Sequence, residues 1–175
     1  MRDPKEGQVL NSQADREKLP LKIIELDVTK DTSVKNAIHS ITNEVSRIDV
    51  LVNNAGYGLM CAFEDLLIEE IKAQFETNLF GLIRTTQEAL PVMRRQNSGF
   101  IVNISSGAGR FGYSGSATAY VSTKFVVESL TESMSYELQP FVFQSTISYN
   151  PGYFLSRIRI VRRLRKHVSS IPFVK

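Results

Sequence analysis

The chain has 175 residues, 42% hydrophobic and 22% charged, enough for one domain with a sizeable core. No apolar run reaches the about 18 residues of a membrane span, and the polar start "MRDPKEGQ" has no signal-peptide core. The single cysteine, Cys61, excludes an internal disulfide and reads as a packing residue, while His39 and His167 lack metal-ligand spacing, so no metal site is expected.

These features fit a cytoplasmic protein. The net charge of +3 is unevenly spread: residues 153–175 hold seven Lys or Arg and no acid. The rest is a mildly acidic body, which divides the chain into a domain over 1–156 and a basic tail over 157–175.

In chain order, residues 1–20 read as polar connection with a short helix. "LKIIEL" (21–26) is a β-rich run ending at Asp27. Over 31–48, Val34, Ile38, Ile41 and Val45 recur at the spacing of one helix face, with Asp31 as N-cap. "DVLVNNAG" (49–56) is a buried-type strand running into a glycine turn. A long helical stretch follows from about Glu64 to Arg95, with Pro91 expected to kink or end a segment. "GFIVNISS" (99–106) is a second buried strand, and "GAGRFGYSGS" (107–116) a glycine-rich loop. Residues 117–139 are helical, "FVFQSTIS" (141–148) is a strand, and "NPG" (150–152) turns after it.

Strands and helices alternate, and the strands are apolar throughout. That pattern predicts an α/β fold with a doubly wound parallel sheet, helices covering both faces. Ligands bind such sheets at the carboxyl ends of the strands. Here those ends are Asp27, "NNAG", "SSGAG" and "NPG", four small or polar clusters in phase.

In "AYVSTKF" (119–125), Tyr120 and Lys124 are four positions apart and share one helix face. An ammonium beside a phenol favours the phenolate, one way to make tyrosine a proton donor and acceptor near neutral pH. The spacing alone is common on helices, so the pair gains meaning from its context.

That context resembles the classical short-chain dehydrogenase/reductase (SDR) family. The matching elements are "LDVT" (26–29), "LVNNAG" (51–56), "ETNLFG" (76–81), "GFIVNISSGAG" (99–109), "AYVSTKF" (119–125) and "PG" (151–152), in family order and approximate spacing, with one extra residue between Ser106 and Tyr120. The resemblance implies a three-layer α/β/α Rossmann-type fold. It implies an oxidoreductase that interconverts a carbonyl and an alcohol on a small molecule by hydride transfer.

By resemblance, Tyr120 is the catalytic acid/base. Lys124 sets its proton affinity and bonds the nicotinamide ribose. Ser106 polarises the substrate oxygen, with Ser105 as the fallback in a shifted register, and Asn78 holds a water in the proton relay. Asp27 and Val28 resemble the adenine contacts, and Asn54, Ala55 and Gly56 the stretch that passes close to adenosine. Asn53 resembles a sheet-stabilising residue. Pro151 and Gly152 flank the nicotinamide, and Ser156 stands where a hydroxyl binds the carboxamide. Arg2 sits where NADP-using relatives place an arginine, which favours NADP over NAD as cofactor. Family members pair through helices corresponding to 68–96 and 117–139, so a homodimer or homotetramer is expected.

Two departures shape these expectations. The family's TGxxxGxG fingerprint is absent, and the chain starts about where the second family strand should end. The sheet is then expected to lack its first strand and most of its second. "KIIEL" would have no neighbour, and "DVLVN" an exposed edge. After "PGYF" the usual substrate cover is replaced by the basic tail, which as a helix would be amphipathic. Both ends read as truncated. The alternative function is therefore a non-catalytic family fragment, a partner- or membrane-surface-binding remnant. Nucleic-acid binding is not expected, because the tail lacks interleaved aromatics.

Overall fold

The computed structural model describes residues 7–112 and 117–139, and the backbone of 143–149. Among the described residues, the helices α1 (Gln8–Glu17), α2 (Asp31–Val45), α3 (Ile68–Phe75), α4 (Gly81–Gln96) and α5 (Thr118–Leu138) and the strands β1 (Val50–Asn53), β2 (Gly99–Ser105) and β3 (Phe143–Tyr149) follow in the order α1-α2-β1-α3-α4-β2-α5-β3. The strands form one parallel sheet in the order β1-β2-β3. Asn53 pairs with Asn103, and Ser105 with Tyr149. Parallel neighbours need long crossovers. Here α4 links β1 to β2, and α5 links β2 to β3.

The sheet face towards α4 and α5 carries Leu51, Ile101 and two asparagines, Asn53 and Asn103. Val34, Ile38, Ile48, Ala89, Val92, Met93, Ile101 and Leu138 form the main core, so α2, α4 and α5 converge on β2. A second cluster of Leu79, Leu82 and Val127 joins α4 to α5 just above it. On the opposite face of β1, Val50 and Val52 are 40% and 54% exposed. Of the three-layer arrangement, the described residues show the sheet and one helical layer.

The α2 stripe forms as expected: Val34 and Ile38 are buried and Ile41 packs on the core, while Val45 at the helix end is exposed. Other expectations need correction. Asp31 is the first helical residue rather than the N-cap, which is Lys30, and its carboxylate takes an ion pair from Arg84 instead. Pro91 lies inside α4, which runs on to Gln96. The run 21–26 forms no strand. Its β-rich composition suits extended backbone, but a strand also needs a ladder partner, and none of the three described strands pairs with it. The stretch from Glu64 to Arg95 is not one α-helix. A short 3-10 turn (Phe63–Asp65) precedes α3, and a π-helical turn (Glu76–Phe80) joins α3 to α4.

Candidate active site

Polar side chains line the seam between the sheet and its helices. Asn53 Nδ2 donates to Thr86 Oγ1 at 3.0 Å and to Asn103 Oδ1 at 2.8 Å, and its Oδ1 accepts from Thr85 Oγ1 at 2.6 Å. Asn103 Nδ2 donates to Thr131 Oγ1 at 2.8 Å. All five residues are buried. A buried amide is costly unless bonded. These bonds therefore tie β1 to β2, and each strand to one helix, just before the strand ends where the candidate residues lie.

At the end of β1, Asn54, Ala55 and Gly56 are exposed, as a stretch approached by a ligand must be. A Cβ placed on Gly56 would lie 3.1 Å from Asn78 Oδ1 and 4.0 Å from Lys124 Nζ. The loop backbone thus runs near both groups, with no room for a side chain against Asn78. Asn78 is buried in the π-helical turn. Its Oδ1 accepts from the Tyr57 N–H at 3.0 Å. Its Nδ2 donates to Tyr57 O at 2.9 Å and to Thr123 Oγ1 at 3.1 Å. The whole amide is engaged, so the Asn78 side chain fixes the loop to α5.

Tyr120 and Lys124 share one face of α5, as their spacing predicts. Lys124 Nζ lies 5.8 Å from the Tyr120 ring centroid and donates to Ile104 O at 2.8 Å. Burial lowers the lysine's proton affinity below the ordinary value, and the Glu128 carboxylate one turn on opposes that shift. Glu128 in turn faces Arg110, whose Nε lies 3.3 Å from Oε2. Gly58 faces the other partner, its would-be Cβ 3.8 Å from Tyr120 Cδ2.

The two serines at the end of β2 differ. Ser106 is half-buried and caps the short turn over Gly107–Gly109, its Oγ accepting from Ala108 N–H at 3.3 Å. Ser105 points inward, fully buried, and its hydroxyl has no hydrogen-bond partner among the described residues. A Cβ on Gly109 would come within 2.9 Å of Ser105 Oγ, Lys124 O and Glu128 Cγ. Only glycine lets this turn press so closely on α5.

Asp27 and Val28 form a separate group. Asp27 Oδ1 accepts from Thr29 N at 3.0 Å and Thr29 Oγ1 at 2.7 Å, closing a tight Asx turn. Val28 is buried against Gly81, and its carbonyl accepts from Arg84 Nη1 at 2.6 Å. Arg2, Pro151, Gly152, Ser156 and the basic tail lie outside the described residues. Sequence reasoning missed Gln74 and Thr123. Both act on groups distant in sequence, and the only local signal was the four-residue spacing of Gln74 from Asn78.

The family profile described as short chain dehydrogenase matches residues 1–166. An uncharacterized oxidoreductase of Schizosaccharomyces pombe is 30% identical over the whole chain, which covers 71% of that protein. The 3-ketodihydrosphingosine reductase of Bacteroides thetaiotaomicron is 40% identical over 77% of this chain and 49% of its own length. Human retinol dehydrogenase 8 is 39% identical over 75% of this chain and 41% of its own. The chain thus spans less than half the length of these two relatives. Among solved structures, a short-chain dehydrogenase from Streptomyces avermitilis superposes with a TM-score of 0.79 at 33% identity, covering 90% of this chain and 57% of that one. One from Mycobacterium marinum reaches 0.82 at 28% identity, over 96% and 66%. The fold is therefore the Rossmann-type α/β fold of these oxidoreductases, and the chain belongs to the short chain dehydrogenase family.

Proposed function

We propose that the chain carries the reacting residues of an oxidoreductase that interconverts a carbonyl and an alcohol, with Tyr120 handling the proton. The observation that carries this reading is the setting of Lys124. Its buried ammonium is held by the Ile104 carbonyl beside both the Tyr120 ring and the Gly56 backbone. A cation so placed favours negative charge on a neighbouring oxygen. The names of two relatives, a retinol dehydrogenase and a 3-ketodihydrosphingosine reductase, agree with an alcohol or ketone substrate.

The residues present suit a nicotinamide dinucleotide. Asn54, Ala55 and Gly56 offer exposed backbone without bulk, and Lys124 stands at their edge to bond a ribose hydroxyl. The position of Arg2 favours NADP. When bound, the cofactor supplies the hydride chemistry. On the protein's side, Tyr120 O–H gives its proton to the oxygen that becomes an alcohol, or takes it in the reverse direction. Ser106 Oγ orients that oxygen, and Asn78 holds the loop through Tyr57. Exposed Phe80, Phe125, Val126 and Tyr136 on the helices over 68–96 and 118–138 support pairing of two chains.

The test is Tyr120→Phe. It removes the proton donor from a half-buried ring, so turnover should vanish while Tm is unchanged; measurable turnover in the variant refutes the mechanism. An NADPH fluorescence titration should saturate with the native chain and fail with Lys124→Ala.

A further inference from the structure

The segment after β1 crosses three groups in three residues. Gly56 runs near Lys124 Nζ, Tyr57 bonds Asn78, and Gly58 runs near the Tyr120 ring. The two peptide units that meet at Tyr57 are each held, the Gly56–Tyr57 unit by its N–H and the Tyr57–Gly58 unit by its carbonyl. The Tyr57 N–H donates to Asn78 Oδ1, and the Tyr57 carbonyl accepts from Asn78 Nδ2 and also from Gln74 Nε2 at 3.1 Å. Gln74 sits one turn before Asn78 on α3 and is fully buried, yet its Oε1 has no hydrogen-bond partner among the described residues. A buried acceptor without a partner destabilises the fold, and an apolar side chain would fill the same space without that cost. Core filling therefore gives no reason for glutamine here. Its bond to the Tyr57 carbonyl does.

We infer that Gln74 is a positioning residue: with Asn78 it fixes the two peptide units that flank Tyr57, Gln74 acting on the Tyr57–Gly58 unit, and so the seating of residues 56–58 near Lys124 and Tyr120. The inference rests on the reading of Tyr120 and Lys124 as the reacting pair, but its first test does not.

Two variants separate the donor from the bulk. Gln74→Leu removes the donor. Gln74→Glu keeps the shape but donates only when its carboxyl is protonated, and burial beside a carbonyl favours that form at low pH. With the Tyr57–Gly58 unit released in Gln74→Leu, the adjoining Tyr57 N–H, bonded to Asn78, should exchange about fivefold faster than in the native chain by NMR. The β2 amides should stay unchanged as the internal reference. Gln74→Glu should match the native chain at about pH 5 and Gln74→Leu at about pH 8. NADPH affinity should fall by a similar factor in step with the exchange. Native Tyr57 exchange in both variants at the higher pH would overturn the inference. So would equal loss of protection at Tyr57 and β2, which would make Gln74 a plain core residue. A native chain that fails to bind NADPH would overturn the oxidoreductase reading and leave the exchange result to judge Gln74.

Discussion

Gly81→Ala sets two known effects against each other where α4 begins. Alanine in place of glycine inside a helix gains about 1 kcal/mol of propensity. At Gly81 the new methyl would lie 2.7 Å from Val28 Cγ2 and 2.9 Å from Val28 Cβ. A rotamer change moves Cγ2 but not Cβ, so the Val28 backbone must shift. That backbone is anchored by the 2.6 Å bond from Arg84 Nη1 to its carbonyl, and by the Asx turn at Asp27. Overpacking a tight site costs about 1–3 kcal/mol, and this anchoring puts the cost in the upper part of that range. The net expectation is a loss of about 1–2 kcal/mol, or about 2–8 °C in Tm for a chain of this size. Urea unfolding followed by far-UV circular dichroism measures it. Adding Val28→Ala removes the nearer contact and should recover about 1 kcal/mol as a positive coupling in the double-mutant cycle. A Gly81→Ala chain as stable as the native one, or more so, would refute the packing argument. Propensity would then outweigh the contact.

Lys124→Met should change how stability depends on pH. Burial lowers the folded lysine's proton affinity, so between its lowered value and the ordinary 10.5 the unfolded chain holds a proton that the folded chain has released. Native stability should rise with pH through that window relative to the variant; a parallel pair of stability curves would contradict it. Asn103→Ala should cost about 2 kcal/mol by breaking the seam at its centre, and less in an Asn53→Ala background. Strict additivity in that cycle would show the bonds to be independent. Ser105→Ala should leave Tm unchanged or raise it, because the hydroxyl it removes is buried without a partner among the described residues. Ser106→Ala should lower stability by about 0.5–1 kcal/mol through loss of its cap. The reverse order in thermal melts would reassign the two serines.

Periodicity carries information about faces, and here it worked where one segment decides the outcome. The Val34–Ile38 stripe and the Tyr120–Lys124 spacing are properties of single helices, and both formed as read. Features set by a second segment stayed hidden. The run 21–26 is the exception: its composition suits a strand, and the resemblance already implied that its ladder neighbour is missing. Asp31 looked like a cap because nothing local reveals that Arg84, 53 residues on, takes its carboxylate. Gln74 belongs to no motif because its partner is a backbone carbonyl 17 residues earlier. The family motifs made Asn78, Tyr120, Lys124 and the Asn54–Gly56 stretch legible as a group. The engagement of the Asn78 amide by the Tyr57 peptide needed coordinates.

The π-helical turn over Glu76–Phe80 bears on how such a site could arise. A turn of this kind absorbs one surplus residue locally, and the α-helices on either side keep their facing. Val92 and Met93 can go on filling the core from α4 while Gln74, on α3, and Asn78, within the turn itself, reach the loop. The polar site is thus an insertion that the scaffold tolerates rather than a compromise in the scaffold's own packing. Within the turn, Asn78 serves the loop while Leu79 stays in the apolar cluster with Leu82 and Val127, so a change at position 78 alters the loop without touching that cluster's side chains.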